Sequence, residues 1–255
     1  MKKIGFINKK GGVGKTSVAG AAAVEMARSG KKVLALDCDG QGNLSSWLLG
    51  DAPLERELAD VLFKQCEWRD ALVRSPVDNL FVMPTISVGG NMKLYEKTRA
   101  NESPFAMRQL LRKAEEEAFD VALIDCPPNF LAVVESCMLA CDEAVVVIDL
   151  TEFSKDGLIQ LKINIDDLQE RFDTDRPKME KVVFNKRDLR LSVQNHIMTS
   201  IEKDTAGAFK FYTVPVDQAF GKAQVMKVPV QDVEDAKPAT LETIKTFAAD
   251  LAEEI

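Results

Sequence analysis

The stretch INKKGGVGKTSV, residues 7–18, decides the fold of this chain. It follows the phosphate-binding loop pattern G-x-x-x-x-G-K-[ST] with one departure: Lys9 stands where the first glycine belongs, and Lys10 follows it. A short apolar run, KIGFIN (3–8), leads into the loop. An Ala-rich helical pattern from Thr16 to Ser29 leads out of it and stops at Gly30. Strand, glycine-rich loop, then helix is the context the motif requires. Gly11, Gly12 and Gly14 let the backbone curl so that successive N–H groups face an anion, and the helix adds its positive N-terminal end. Lys15 is placed to neutralise β- and γ-phosphates, and the Thr16 hydroxyl to bind Mg2+.

Outward from the loop, apolar runs alternate with helical patterns. KVLALD (32–37), NLFVMP (79–84), DVALID (120–125), EAVVVIDL (143–150), KVVFN (181–185) and FKFYTVP (209–215) read as strands. Helices are expected over 57–64, 103–117, 130–140, 155–171, 190–204 and 238–254. The strands are continuous apolar runs rather than alternating ones, so the fold class is α/β, a mostly parallel twisted sheet with helices on both faces. Residues 86–103 are the least patterned and read as a mobile surface segment. With 255 residues, no repeat and no Gly/Ser linker, a single domain over 1–255 is expected.

Composition narrows the class further. The net charge is −7, so any DNA binding has to rest on a local patch. The five cysteines show no C-x-x-C spacing and read as reduced cytosolic thiols. Neither a secretion signal nor a run of about 18 apolar residues is visible, so a cytoplasmic location is expected.

Two acidic strand tips complete the expected site. In LALDCDGQGNLSSWL (34–48), Asp37 ends a strand and Asp39 follows in the loop. In FDVALIDCPPNF (119–130), Asp125 ends an apolar strand, the Walker B position for holding a metal-bound water beside a γ-phosphate. Pro127 and Pro128 stop that strand and fix the exit of the chain. Cys126 reads as a small buried spacer.

Taken together, K-G-G-V-G-K-T (10–16), D-C-D-G-Q-G-N (37–43) and D-C-P-P (125–128) resemble the ParA/MinD family of deviant Walker A ATPases. The resemblance implies a deviant P-loop NTPase that binds ATP and Mg2+. Lys10, Gly11, Gly12, Val13, Gly14, Lys15, Thr16 and Ser17 would line the nucleotide, and Thr16, Asp37 and Asp125 would serve the metal. In the family, the lysine at the position of Lys10 crosses a nucleotide-sandwich dimer to the partner's phosphates, in the manner of an arginine finger supplied in trans. Lys9 reads as an exposed charge. Asp39 would orient the attacking water, with Lys10 and Lys15 as the other catalytic groups. Gly40 replaces the usual proline and would loosen this loop. The segment 151–161, TEFSKDGLIQL, would help build the dimer face.

Two features leave choices open. VVFNKRDL (182–189) contains N-K-x-D, the guanine-reading motif of GTPases, whereas the rest of the site resembles an ATPase. On the ATP reading, Asn185 meets adenine and the backbone at Val214 and Pro215 closes the base pocket. Residues 181–231 carry eight Lys/Arg against four Asp/Glu, a local excess able to bind a phosphodiester backbone without reading sequence. Lys186, Arg187, Arg190 and Lys222 are the candidates. Arg190 aligns with a DNA-contacting arginine of ParA relatives; a second such arginine falls at Ala219, with Lys222 nearby. The implied partners are a second subunit when ATP is bound, nonspecific DNA with association to the nucleoid, and a ParB-type activator of slow hydrolysis. Positioning of another cargo, or a GTP-using or metabolic role, is the alternative. Residues 232–255 hold Lys237 and Lys245 against seven acids and lack the basic amphipathic tail of a membrane-bound relative. His196 has no partner in sequence and reads as filler.

Overall fold

The computed structural model describes residues 1–151 and 154–253. The strands are β1 (Lys2–Ile7), β2 (Val33–Asp37), β3 (Val73–Arg74), β4 (Leu80–Met83), β5 (Val121–Asp125), β6 (Glu143–Asp149), β7 (Lys178–Arg187) and β8 (Lys210–Pro215). They form one sheet in the order β3-β4-β2-β5-β1-β6-β7-β8. Every pairing is parallel except β3 with β4, a two-residue antiparallel edge that carries no alternation signal in the sequence.

The helices are α1 (Lys15–Arg28), α2 (Asn43–Leu49), α3 (Leu58–Leu62), α4 (Met92–Thr98), α5 (Ala106–Glu116), α6 (Ala132–Ala140), α7 (Ser154–Phe172), α8 (Ser192–Asp204), α9 (Ala219–Met226) and α10 (Pro238–Ala252). Side chains alternate across the central strands. Val121 and Leu123 of β5 join a core with α1, α2, α9 and α10, while Ala122 and Ile124 join the opposite core with α3 to α8. The sheet is therefore covered on both faces, which is why its strands read as unbroken apolar runs. Ile244, Phe247, Ala248 and Leu251 of α10 are buried, and the Phe247 ring meets Tyr212 at 4.9 Å. This helix spends its apolar stripe on the core. Among the described residues, no helix is long and apolar enough to cross a membrane.

One expectation is overturned. Residues 86–103 are not an unpatterned surface segment, because they contain α4 and bury Met92, Tyr95 and Ala100. Their anchor is Glu57, itself 1% exposed, whose carboxylate accepts the Ile86 N–H at 2.6 Å and also the Asn91 N–H. A buried carboxylate needs such donors, and here they come from backbone that periodicity cannot register. α2, α4 and α9 also escape the sequence reading, each being only seven or eight residues long.

Candidate nucleotide site

The phosphate loop joins the C-terminal end of β1 to the N-terminus of α1. Gly12 (φ 75°) and Gly14 (φ 97°) take left-handed conformations open to glycine at no steric cost. A Cβ at Gly14 would also lie 2.1 Å from Nδ2 of Asn185. Gly11, Gly12, Gly14, Lys15, Thr16 and Ser17 line a cleft of about 580 Å³, closed by Asp39, Pro128 and Lys186 and by Gly221 and Gln224 of α9. The Lys15 ammonium lies over the loop, 3.5 Å from the Lys10 carbonyl oxygen. Burial lowers its pKa, opposed by Asp125, Cys126 and Asp39. A phosphate in the cleft would compensate the ammonium for the hydration that burial removes.

Asp37 and Asp125 sit in register at the tips of β2 and β5. Both are fully buried, and burial first, then their mutual repulsion with Asp39, raises the pKa of Asp125; burial likewise raises that of Asp37. The two carboxylates differ in their partners. Asp37 Oδ2 accepts from the Ser45 N–H at 2.8 Å and the Ser45 hydroxyl at 2.7 Å, and Oδ1 accepts from the Asp39 N–H at 3.2 Å. Asp125 Oδ2 accepts the Thr16 hydroxyl at 2.6 Å, but Oδ1 has no partner although it is buried. An orphaned carboxylate oxygen beside a hydroxyl and a phosphate cleft suits a hard cation that keeps several of its own waters. Among the described residues, no group of three acidic, cysteine or histidine side chains could hold a metal alone, so the remaining ligands would have to be phosphate and water.

Lys10 does not line this cleft. Its ammonium bonds Asp149 at the end of β6, on the surface. Lys9 is exposed, as expected. Asp39 lines the cleft, with Oδ1 accepting the Gln41 N–H at 2.9 Å. A Cβ at Gly40 would lie 2.7 Å from Cγ of Lys93 on α4, a flexible side chain. Cys126 is a buried spacer, and all five cysteines are free thiols. In the expected dimer-face segment, Glu152 and Phe153 lie outside the described residues.

The residues at the C-terminal end of β7 and beyond it behave differently from expectation. Asn185 donates Nδ2 to the Val13 carbonyl at 2.8 Å, and Lys186 donates Nζ to the Gly12 carbonyl at 2.6 Å. Lys186, expected on a DNA face, thus belongs to the phosphate loop. Arg187 donates to the Asn195 side chain, Arg190 to Asp188, and Lys222 to Asp235. The basic excess of 181–231 is largely matched by acids drawn from outside that window or beside it, as with Lys210–Asp250 and Lys227–Asp51. Val214 is buried in β8, and Pro215 pairs with Arg187 across the strands. Sequence reasoning missed Gln224, which reaches from α9 to the Ser17 hydroxyl at 3.1 Å; no local signal marks it.

The chain matches the AAA domain family model AAA_31 over residues 1–179. It is 29% identical over 204 residues to the sporulation initiation inhibitor protein Soj of Bacillus subtilis, covering 79% of each chain. It is 28% identical over 203 residues to the chromosome partitioning protein ParA of Caulobacter vibrioides, covering 79% of this chain and 75% of that one. Among solved structures, the ATP complex of an McdA variant from Cyanothece superposes with a TM-score of 0.86 at 17% identity, over 98% of this chain and 96% of that chain.

Proposed function

Because the chain belongs to the AAA_31 family, we propose that this ParA/MinD-type ATPase uses ATP as a bridge between two subunits and rides DNA to position a cargo. The relatives named above include a chromosome partitioning protein, which supports partitioning or a related positioning role. The observation that carries the dimer reading is the placement of Lys10. It lies beside the loop that bears it, yet outside that loop's own cleft, with a side chain 52% exposed. A cation so placed is available to a second subunit's phosphates.

In this reading the chain acts as one domain. The loop amides, Lys15 and Lys186 hold the phosphates in cis, and Asn185 fixes the loop from β7. Thr16 and Asp125 would hold Mg2+, with Asp37 behind them as a buried brace, and the ion would supply charge neutralisation to the nucleotide's phosphates. Asp39 orients the attacking water. Hydrolysis is slow in the isolated protein because, among the described residues, no side chain near the cleft is a strong base, and a ParB-type partner accelerates it. Arg190 and Arg187 meet DNA only by exchanging their present partners for phosphodiester oxygens.

Size-exclusion chromatography with light scattering tests the central claim. ATP with Mg2+ gives a dimer and ADP a monomer, whereas K10A binds ATP and stays monomeric. Dimers of K10A in ATP would remove the in-trans role. DNA binding in ATP against ADP, repeated at rising salt, tests the second half.

A further inference from the structure

Residues 185–188 spell the guanine-reading pattern N-K-x-D in a chain of an ATPase family, and the structure accounts for each member. Asn185 and Lys186 are both engaged with the phosphate loop, at the Val13 and Gly12 carbonyls. Asp188 is the residue that would accept two hydrogen bonds from guanine. It lines a second cleft, of about 590 Å³, with Arg187, Arg190, Pro215 and Val216, at the C-terminal ends of β7 and β8 where the base pocket is expected.

Both carboxylate oxygens of Asp188 are already occupied. Arg190 donates Nε to Oδ1 at 2.9 Å and Nη2 to Oδ2 at 2.6 Å, and its backbone N–H donates to Oδ1 at 3.0 Å. These bonds hold the Asp188 carboxyl below the usual carboxylate range. The guanidinium fork presents two parallel N–H groups to a carboxylate. Guanine presents the same donor–donor pattern through its ring N–H and its exocyclic amine. Adenine presents a donor and an acceptor on the corresponding edge, so it has no use for a bare carboxylate there.

We propose that Arg190 is a specificity-determining residue that occupies Asp188 in the place guanine would take, so that this N-K-x-D sequence rejects GTP. The proposal rests on the reading of these clefts as an ATP site. A guanine entering the pocket finds both Asp188 oxygens already bonded to Arg190 and has to displace that guanidinium to place its two donors there. Adenine loses nothing by the same pairing and is spared a carboxylate facing its ring acceptor. The side chain of Arg190 is 86% exposed, so the mask is held by local geometry and not by burial.

Equilibrium binding of fluorescently labelled ATP and GTP, with Mg2+, to the full-length wild type, R190A and D188N/R190A provides the test. The wild type binds ATP in preference to GTP. R190A shifts the affinity ratio toward GTP by up to about fivefold, the scale on which an exposed ion pair competes. D188N/R190A reverses that shift, because an amide offers only one acceptor to guanine's two donors. A ratio unchanged in R190A, with ATP binding intact, overturns the proposal, as does a wild type that binds both nucleotides equally. A wild type that binds ATP not at all overturns the ATP-site reading itself.

Discussion

The Lys10 ammonium lies 2.7 Å from one carboxylate oxygen of Asp149 and 3.0 Å from the other, with the Thr151 hydroxyl at 3.4 Å. The pair joins the phosphate loop to the tip of β6 and holds the lysine away from its own cleft. Any role for Lys10 in a second subunit requires this pair to open. Lys10 is 52% and Asp149 23% exposed, so the pair is worth at most about 1 kcal/mol. Asp149→Asn is expected to release the lysine and tighten the ATP-dependent dimer, by up to about fivefold. Sedimentation equilibrium measures this. A weaker dimer would show that Asp149 is needed in the assembled state.

Among the described residues, Thr16 is the one side-chain donor to the Asp125 carboxylate, whose other oxygen is unpaired. Thr16→Ala is expected to weaken the Mg2+ dependence of nucleotide binding by about ten- to a hundredfold, the usual range for groups that orient a metal site. Nucleotide titrations at fixed ATP and varied Mg2+ read this out. An unaltered Mg2+ midpoint would place the cation elsewhere.

Gly20 lies inside α1, where alanine is intrinsically favoured by about 1 kcal/mol. A Cβ there would meet the Trp47 ring at 2.4 and 2.8 Å, and that ring is pinned by its N–H to the Val228 carbonyl at 2.7 Å. Gly20→Ala is therefore expected to destabilise the protein by about 1–3 kcal/mol, since overpacking outweighs propensity. Urea denaturation decides the sign, and a stabilised variant would mean that α2 yields easily.

Asp217 ties the start of α9 to α10. It accepts the Ala219 N–H at 3.0 Å, the Lys237 N–H at 2.9 Å and the Thr240 hydroxyl at 2.7 Å. Burial would raise its pKa, but these three bonds outweigh it and the pKa is lowered from 3.8. A carboxylate with a depressed folded-state pKa contributes stability above its unfolded value and loses it as pH falls through the folded one. Asp217→Asn is expected to be less stable than the wild type at neutral pH. The gap closes below the ordinary carboxylate pKa of about 3.9. Thermal melts between pH 3 and pH 7 follow the gap, and a constant difference would assign the loss to hydrogen-bond geometry alone.

The loop 10–16, the strand tips at Asp37 and Asp125, and the alternation of strands and helices were legible in the sequence. Each is local: glycines set a backbone curl, and an acid at the end of an apolar run lands at the C-terminal tip of its strand whatever the rest of the chain does. The brief helices α2, α4 and α9 were not, because two turns hold too few residues to display a period. Nor were the partners that give the site its character. Asn185 reaches Val13 across 172 residues, Gln224 reaches Ser17 across 207, and Lys10 reaches Asp149 across 139. A pattern along the chain names which side chains carry charge. Whether Lys186 stands free or bonds the Gly12 carbonyl, and whether Asp188 is free or held by Arg190, was decided only by tertiary structure. Hydrogen bonds depend on distance and angle in space, and those are set by the packing of β7, β8 and α9 around the loop.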